Sequence, residues 1–221
     1  MRWEHQSKIA TKLNKGKQMI EHIYTTPIYQ KQLGTSILTS IHRYVQTGQF
    51  GVSKKAHSTR GGYQSDEEFL KSLDPEIEMF KKEIFACVSE YLNDFFKAYT
   101  NKERNDQSIH FELWGWITQF SKGGYNAPHL HPRSTISGVY YVETPTSVLK
   151  NEEGDYAGWL CLLDPRANSQ NWPLPGQVNN IFISPVPGSI VLFPSSLSHF
   201  VPPFHGDGTR TAIAFNLRHK I

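Results

Sequence analysis

The spacing of apolar residues changes at about residue 110, and this change limits the folds that the chain can adopt. Between residues 75 and 98 the apolar side chains recur at helical spacing, at Ile77, Phe80, Ile84, Val88, Tyr91, Leu92 and Phe95. From residue 110 onward the spacing becomes two, in the runs FELWGWITQF, TISGVYYVE, AGWLCLLDP, IFISPVPGSIVLFP and RTAIAFNL. Helices followed by many short strands predict a mainly β fold with N-terminal helices, namely an antiparallel sandwich or jelly roll with the helices packed on one face.

The N-terminal half of the chain predicts two helices and a long loop. One helix is expected over residues 29–46, and a longer one over 75–98, where Asp74 can act as the N-cap and Pro75 suits the first turn. Between the helices, residues 51–69 are polar and contain glycine, which predicts a loop. The helices are then expected to support the β part rather than to carry chemistry.

Length and charge predict a single domain. At 221 residues the chain can bury a sizeable core, and we expect one domain over residues 21–221, with a helical part over 21–105 and a β core over 106–221. Residues 1–20 hold five basic residues against one acidic residue, so they account for the net charge of +3. We expect them to form a partly flexible lead-in. The nearly neutral remainder gives no reason to expect nucleic acid as a partner.

Hydropathy and cysteine content predict a cytoplasmic protein without a membrane partner. No apolar run approaches the ~18–20 residues that a membrane span needs, and the N-terminus lacks the apolar core of a signal peptide. Cys87 and Cys161 lie far apart in apolar surroundings, so we expect two buried free thiols in a reducing compartment. No exposed heptad or apolar stripe indicates a particular oligomeric state.

The stretch NAPHLHPRSTISGVYYVE, at residues 126–143, places two histidines two residues apart. On an extended segment His129 and His131 project to the same side, as ligands of a single cation must. Further along, the strand SIVLF leads through a turn to His199, a third candidate ligand. Two alternatives remain at this point: Pro132 could turn one ring away, or the histidines could be structural.

The last strand carries an unusual face. Its alternation places one cation, two small residues and an amide on one face, namely Arg210, Ala212, Ala214 and Asn216, while the opposite face of Thr211, Ile213 and Phe215 suits a core. Small residues beside an arginine leave room for an anionic ligand, whose carboxylate a guanidinium can bind through two hydrogen bonds. The alternative is that Arg210 forms an ion pair with an acidic residue such as Asp207.

Six elements in the second half together resemble one family. They are HLHP at 129–132, SGVYYV at 137–142, GWLCLLDPR at 158–166, PGSIVLFP at 187–194, HFVP at 199–202 and RTAIAFN at 210–216. These elements are similar to those of the iron(II)/2-oxoglutarate-dependent oxygenases, and more narrowly to a bacterial and phage branch of that family. The resemblance covers about residues 110–217.

The resemblance implies a double-stranded β-helix, a form of jelly roll, with Fe(II) at its open end. It implies His129 as the first iron ligand and His199 as the distal ligand. Arg210 would bind the far carboxylate of the cosubstrate 2-oxoglutarate, and Tyr141, the second tyrosine of the Tyr-Tyr pair, would share that carboxylate. Tyr125 would line the cofactor pocket near the iron.

The sequence departs from the usual family pattern at one position. The common triad has two histidines and one carboxylate, whereas His131 stands here in the place of the carboxylate. We expect His131 to be the third ligand, as in other members of this branch. The alternative is that it points away and that Asp155 or Asp164 supplies an oxygen ligand.

The implied reaction uses Fe(II), 2-oxoglutarate and O2 to hydroxylate an unactivated C–H bond. Polar loops, one holding Lys54, Lys55, Arg60 and Gln64 and one over residues 166–180, suit a small polar metabolite, an amino acid or a peptide as substrate. Arg133 is a candidate contact to that substrate. Two other functions remain open. One is a three-histidine cupin dioxygenase that does not use 2-oxoglutarate, and the other is a non-catalytic jelly-roll binding module.

Overall fold

The computed structural model describes residues 25–48, 50–53, 58–100, 109–149, 156–166, 174–175 and 177–219. The α-helices in these ranges are α1 (Thr35–Thr47), α2 (Pro75–Thr100) and the short α3 (Thr146–Leu149). The strands are β1 (Tyr29–Gln32), β2 (Thr59–Gln64), β3 (Phe111–His129), β4 (Ile136–Glu143), β5 (Leu160–Leu163), β6 (Asn180–Ile183), β7 (Ser189–Pro194), β8 (His199–Val201) and β9 (Arg210–His219). The expected class, mainly β with N-terminal helices, is confirmed. The expected lead-in over residues 1–20 lies outside the described ranges.

The strands pair antiparallel in one curled sheet. Its order is β1-β7-β4-β9-β3-β8-β5-β6, and β2 adds to β3 beside this path. The long strand β3 pairs with β9 along its first half and with β8 near its end, so it joins the two halves of the curl. A sheet that folds over itself in this way is the jelly roll that the sequence predicts.

Apolar cores lie on both sides of the sheet. On the outer side, α1 and α2 cover side chains of β4, β7 and β9, and the rings of Phe80 and Tyr140 lie 4.9 Å apart. On the inner side, Tyr141 and its neighbours face the short strands β5 and β6. Because successive residues of a strand point to opposite faces, the Tyr-Tyr pair divides between the two cores.

The helix α2 follows the predicted pattern, whereas the first helix is shorter than expected. The carboxylate of Asp74 accepts a hydrogen bond of 2.8 Å from the backbone N–H of Glu76, and the helix begins at Pro75. The expected helix over residues 29–46 is wrong at its start. Tyr29–Gln32 instead forms β1 against β7, and α1 begins after Gly34, because edge pairing with a distant strand outweighs local helix propensity.

The polar segment 51–69, predicted as a loop, contains the strand β2. Most of its side chains are half-buried or exposed, so it lacks the apolar alternation by which a strand is recognised. Backbone pairing with β3 forms it instead.

None of the helices in the described ranges is both long enough and apolar enough to cross a membrane.

Candidate metal centre

Three imidazoles meet at the place where β3 and β8 pair. His129 ends β3 and lies directly opposite His199, the first residue of β8, while His131 follows two residues later. The centre of the His129 ring lies 4.2 Å from the centre of the His199 ring and 5.0 Å from the centre of the His131 ring. One nitrogen from each ring lies within 4.8 Å of the others. A cation bonded at about 2.0–2.1 Å to each would need them to move slightly inward.

Backbone carbonyls fix the orientation of two of these rings. The Nδ1 of His129 lies 2.7 Å from the carbonyl oxygen of Ala127, and the Nδ1 of His199 lies 2.9 Å from that of Leu197. A carbonyl can only accept, so each Nδ1 carries the hydrogen and each Nε2 keeps a free lone pair. This is the usual arrangement of a histidine that binds a metal. The Nδ1 of His131 faces a side chain, the amide of Asn216, at 3.4 Å.

Burial keeps the three rings neutral. Loss of hydration lowers the pKa of His129, and it lowers the pKa of His131 to about 4 and that of His199 to about 3. The proximity of His129 lowers the last two pKa values further. At pH 7 all three rings are therefore neutral, and a neutral imidazole is the form that binds a cation.

Arg210 and Tyr141 lie in the same interior with unsatisfied polar atoms. Arg210 is 2% exposed and Tyr141 is fully buried, and neither the Nε of Arg210 nor the hydroxyl of Tyr141 has a hydrogen-bond partner among the described residues. The guanidinium carbon lies 5.2 Å from the centre of the Tyr141 ring. Burial raises the pKa of Tyr141 to about 12, although the guanidinium partly opposes this shift. The hydroxyl therefore stays protonated and can donate a hydrogen bond to an anion.

Arg210 has no anionic partner in the described part of the chain. The alternative ion pair with Asp207 does not form there. A buried cation without a counter-charge costs several kcal/mol, so such an arrangement persists only where something compensates for it. The unpaired guanidinium indicates a binding site for a small anion.

The imidazoles and the guanidinium line one cavity of about 60 Å³. The small side chains Ala212 and Ala214 line it together with Arg210, as the alternation of the last strand predicts. Trp116 and Asn126 line it as well, although no sequence motif identifies them. Counting in twos back from His129 would have selected Ile117 rather than Trp116, because the register of β3 shifts between Asn126 and His129.

Two predicted site residues lie elsewhere. Tyr125 is half-buried and does not line the cavity, whereas its neighbour Asn126 does, because adjacent residues of a strand face opposite sides. Arg133 is exposed and also lies outside the lining. The alternative ligand Asp164 instead forms an ion pair with Arg166.

Other sequence-based hypotheses fall on residues that the structure does not describe. These are the alternative ligand Asp155, the loop residues Lys54 and Lys55, and most of the segment 166–180.

Comparison with known proteins gives a family match over part of the chain and a fold. Residues 114–216 match the family model described as "Putative 2OG-Fe(II) oxygenase". No curated protein matches the sequence. Among solved structures, a prolyl-4-hydroxylase from Pseudomonas putida is 14% identical, with a TM-score of 0.58, over 89% of this chain and 94% of that one.

Two further structures share the fold. A prolyl hydroxylase from Trichoplax adhaerens, in complex with a peptide fragment of the hypoxia inducible factor oxygen degradation domain, is 18% identical over 87% of this chain and 82% of its own, with a TM-score of 0.55. HygX from Streptomyces hygroscopicus, with nickel and 2-oxoglutarate bound, is 12% identical over 87% and 83%, with a TM-score of 0.52. At these identities the likeness establishes the fold alone.

Proposed function

We propose that this protein is an Fe(II)- and 2-oxoglutarate-dependent dioxygenase in which His129, His131 and His199 hold the iron, and the match of residues 114–216 to the 2OG-Fe(II) oxygenase model supports this. One observation carries the proposal. Three neutral imidazoles and an unpaired, buried guanidinium open into the same cavity. The first group suits a divalent metal and the second suits an anion, which together are the two requirements of this chemistry.

When bound, Fe(II) and 2-oxoglutarate supply the oxidising chemistry, in which O2 converts 2-oxoglutarate to succinate and CO2 while a C–H bond of the substrate is hydroxylated. The three imidazoles add no charge, so the metal site keeps a charge of +2 rather than the +1 that a carboxylate ligand would leave. A dianionic cosubstrate can then neutralise the site more completely. This is the physical consequence of histidine at position 131.

Arg210 and Tyr141 orient the cosubstrate from the end remote from the metal. The guanidinium can bind the far carboxylate through two parallel hydrogen bonds, and the tyrosine hydroxyl can donate a third. Both groups gain the partner that they lack in the structure. Their surroundings are apolar, because Phe120 lies 5.7 Å from the guanidinium carbon and Leu160 also lines the cavity. Such an interior excludes water and strengthens the electrostatic contact.

The substrate proposed is a small polar metabolite, an amino acid or a peptide. The cavity of about 60 Å³ has room for only a few water molecules, at about 10–15 Å³ each, so most of a substrate must remain outside it. The lining includes Ser58 and Asn126, and the amide of Asn126 donates to the Ser58 hydroxyl at 3.1 Å. Structural likeness to prolyl hydroxylases, one of them in complex with a peptide, supports including peptides in a screen.

The proposal is tested by the fate of the cosubstrate. Protein reconstituted anaerobically with Fe(II) and 2-oxoglutarate is exposed to O2, and succinate and labelled CO2 are measured with pools of peptides and metabolites. We expect succinate from the wild-type protein and a large rise in the KM for 2-oxoglutarate in Arg210→Met. Arg218→Met is the matched control, because Arg218 lies on the same strand but is exposed and paired with Glu112.

Two outcomes would replace the proposal with another function. O2 consumption and substrate oxidation without succinate would identify a three-histidine dioxygenase that binds its substrate directly. Absence of affinity for Fe(II), Mn(II) and Ni(II) would leave a jelly-roll binding module with structural histidines.

A further inference from the structure

A buried chain of hydrogen bonds leads from His131 through Asn216 and Ser137 to Ser195. On one side, the Nδ2 of Asn216 lies 3.4 Å from the Nδ1 of His131. On the other, the Oδ1 of Asn216 lies 2.7 Å from the hydroxyl of Ser137, which lies 2.8 Å from the hydroxyl of Ser195. The two serines and the asparagine are only 1–3% exposed. The large majority of buried polar side-chain atoms are hydrogen-bonded, and here the two serines and the asparagine bond to one another.

Ser137 has a single hydroxyl hydrogen, so it can donate to Asn216 or to Ser195 but not to both. The chain therefore has two consistent arrangements. In the first, Ser195 donates to Ser137, Ser137 donates to the amide oxygen, and the amide nitrogen donates to the Nδ1 of His131.

In the second arrangement the amide of Asn216 is turned by half a revolution, which exchanges two groups of similar size. The Nδ1–H of His131 then donates to the amide oxygen. The amide nitrogen donates to Ser137, and Ser137 donates to Ser195. The same four residues are satisfied, but every hydrogen bond runs in the opposite direction.

The two arrangements require different tautomers of His131. A neutral imidazole carries one N–H, and a nitrogen that carries hydrogen has no lone pair for a cation. The first arrangement therefore leaves the Nε2 of His131 unable to bind a metal, whereas the second frees it. His129 and His199 already hold their hydrogen on Nδ1 through backbone carbonyls. Only the second arrangement gives all three rings the same state.

Resting on the metal centre proposed above, we propose that Asn216 is a positioning residue whose amide oxygen accepts the Nδ1–H of His131 and so frees the Nε2 of that ring for the metal. Ser137 and Ser195 hold the amide in this direction. Asn216 thus does for His131 what the carbonyls of Ala127 and Leu197 do for the other two rings. Unlike a carbonyl, a side chain can be removed by substitution.

The first test reads the tautomer directly and needs no metal. The ring nitrogens of the metal-free protein, labelled with ¹⁵N in histidine, are observed by NMR, and His131→Ala assigns the signals. We expect the Nδ1–H form of His131 in the wild-type protein and in Asn216→Asp, which keeps an acceptor, and a mixture of tautomers in Asn216→Leu. The Nε2–H form in the wild-type protein, or an unchanged tautomer in Asn216→Leu, would overturn the proposal.

The second test measures the affinity for Co(II) from its absorption spectrum. Loss of a group that orients a metal-binding histidine weakens metal binding by about 10–100-fold, and we expect a loss of this size in Asn216→Leu and little loss in Asn216→Asp. Thr211→Val is the matched control, since Thr211 is fully buried on the opposite face of the same strand. If Asn216→Leu does not fold, Ser137→Ala is the second variant, with a smaller loss expected.

The outcomes separate the two proposals. A wild-type protein that does not bind Co(II) would refute the metal centre itself. Wild-type binding that both Asn216→Leu and Ser137→Ala leave unchanged would refute only the role of Asn216.

Discussion

Acidification of the metal-free protein is expected to reduce its stability sharply between pH 7 and pH 5. Burial lowers the pKa of His131 to about 4 and that of His199 to about 3, from an ordinary value of 6.5. Between these values the unfolded chain binds more protons than the folded chain, so the free energy of unfolding rises with pH. Above pH 6.5 the two rings are neutral in both states and cost no stability. As the pH falls from 6.5 to the folded pKa values, the free energy of unfolding decreases progressively.

The size of the loss follows from the same pKa values. At pH 5 both folded rings remain mainly neutral, whereas both unfolded rings are protonated. Each ring then favours the unfolded chain by about 2 kcal/mol, because pH 5 lies about 1.5 units below the ordinary pKa and each unit corresponds to about 1.36 kcal/mol. The two rings together remove about 4 kcal/mol from a total that is about 5–15 kcal/mol for a typical domain.

The assay is urea unfolding at pH 7, 6 and 5 in the presence of a chelator, which keeps metal from masking the effect. Measurements stop at pH 5 because carboxylates contribute below it. In His131→Gln one of the two rings is missing, so we expect about half of the wild-type loss. A wild-type loss below about 1 kcal/mol, or an equal loss in His131→Gln, would refute the reasoning that the rings are buried and neutral.

Three further predictions concern single residues of the site and the sheet. His131→Ala should lose most of its Fe(II) affinity and its turnover in a titration and a succinate assay, and full retention of both would remove His131 from the ligands. Arg210→Met should raise the free energy of unfolding without cosubstrate by about 1–4 kcal/mol in urea, because it removes an unpaired buried charge; a less stable variant would contradict this. Gly138→Ala should lower the thermal midpoint, since its new Cβ would lie 2.4 Å from the Phe215 ring and 2.8 Å from the Leu192 side chain, and overpacking costs about 1–3 kcal/mol. An unchanged midpoint would show that the sheet can adjust.

The sequence predicts those parts of the fold that depend on regular alternation. The face of β9 that joins Arg210 to Ala212 and Ala214 follows from the period of two, and the structure places all three residues on one cavity. The helix α2 follows from its apolar spacing and from Asp74 at its start. In both elements the local sequence pattern and the tertiary packing favour the same structure, so the pattern alone is sufficient to predict the element.

Where pairing decides the structure, the sequence is less informative. The strand β1 forms because its backbone meets β7, about 160 residues further along the chain, and β2 forms in the same way against β3. Hydrogen bonds between backbones do not depend on the side chains that a sequence displays. A short edge strand with polar side chains is therefore hard to distinguish from a loop.

The candidate ligands were predictable for a different reason from the residue that orients one of them. His129 and His131 share a short motif, whereas Asn216 lies 85 residues after His131, and its amide meets that ring only because β9 pairs with β4. The sequence shows which residues have the chemistry of a metal ligand. Whether the second ring nitrogen of a histidine carries hydrogen depends on the group that contacts that nitrogen. The carbonyls behind His129 and His199 come from their own chain segments and need no particular side chain. The third ring depends on a side chain from another strand, so this is where a single substitution can change the metal centre without touching a ligand.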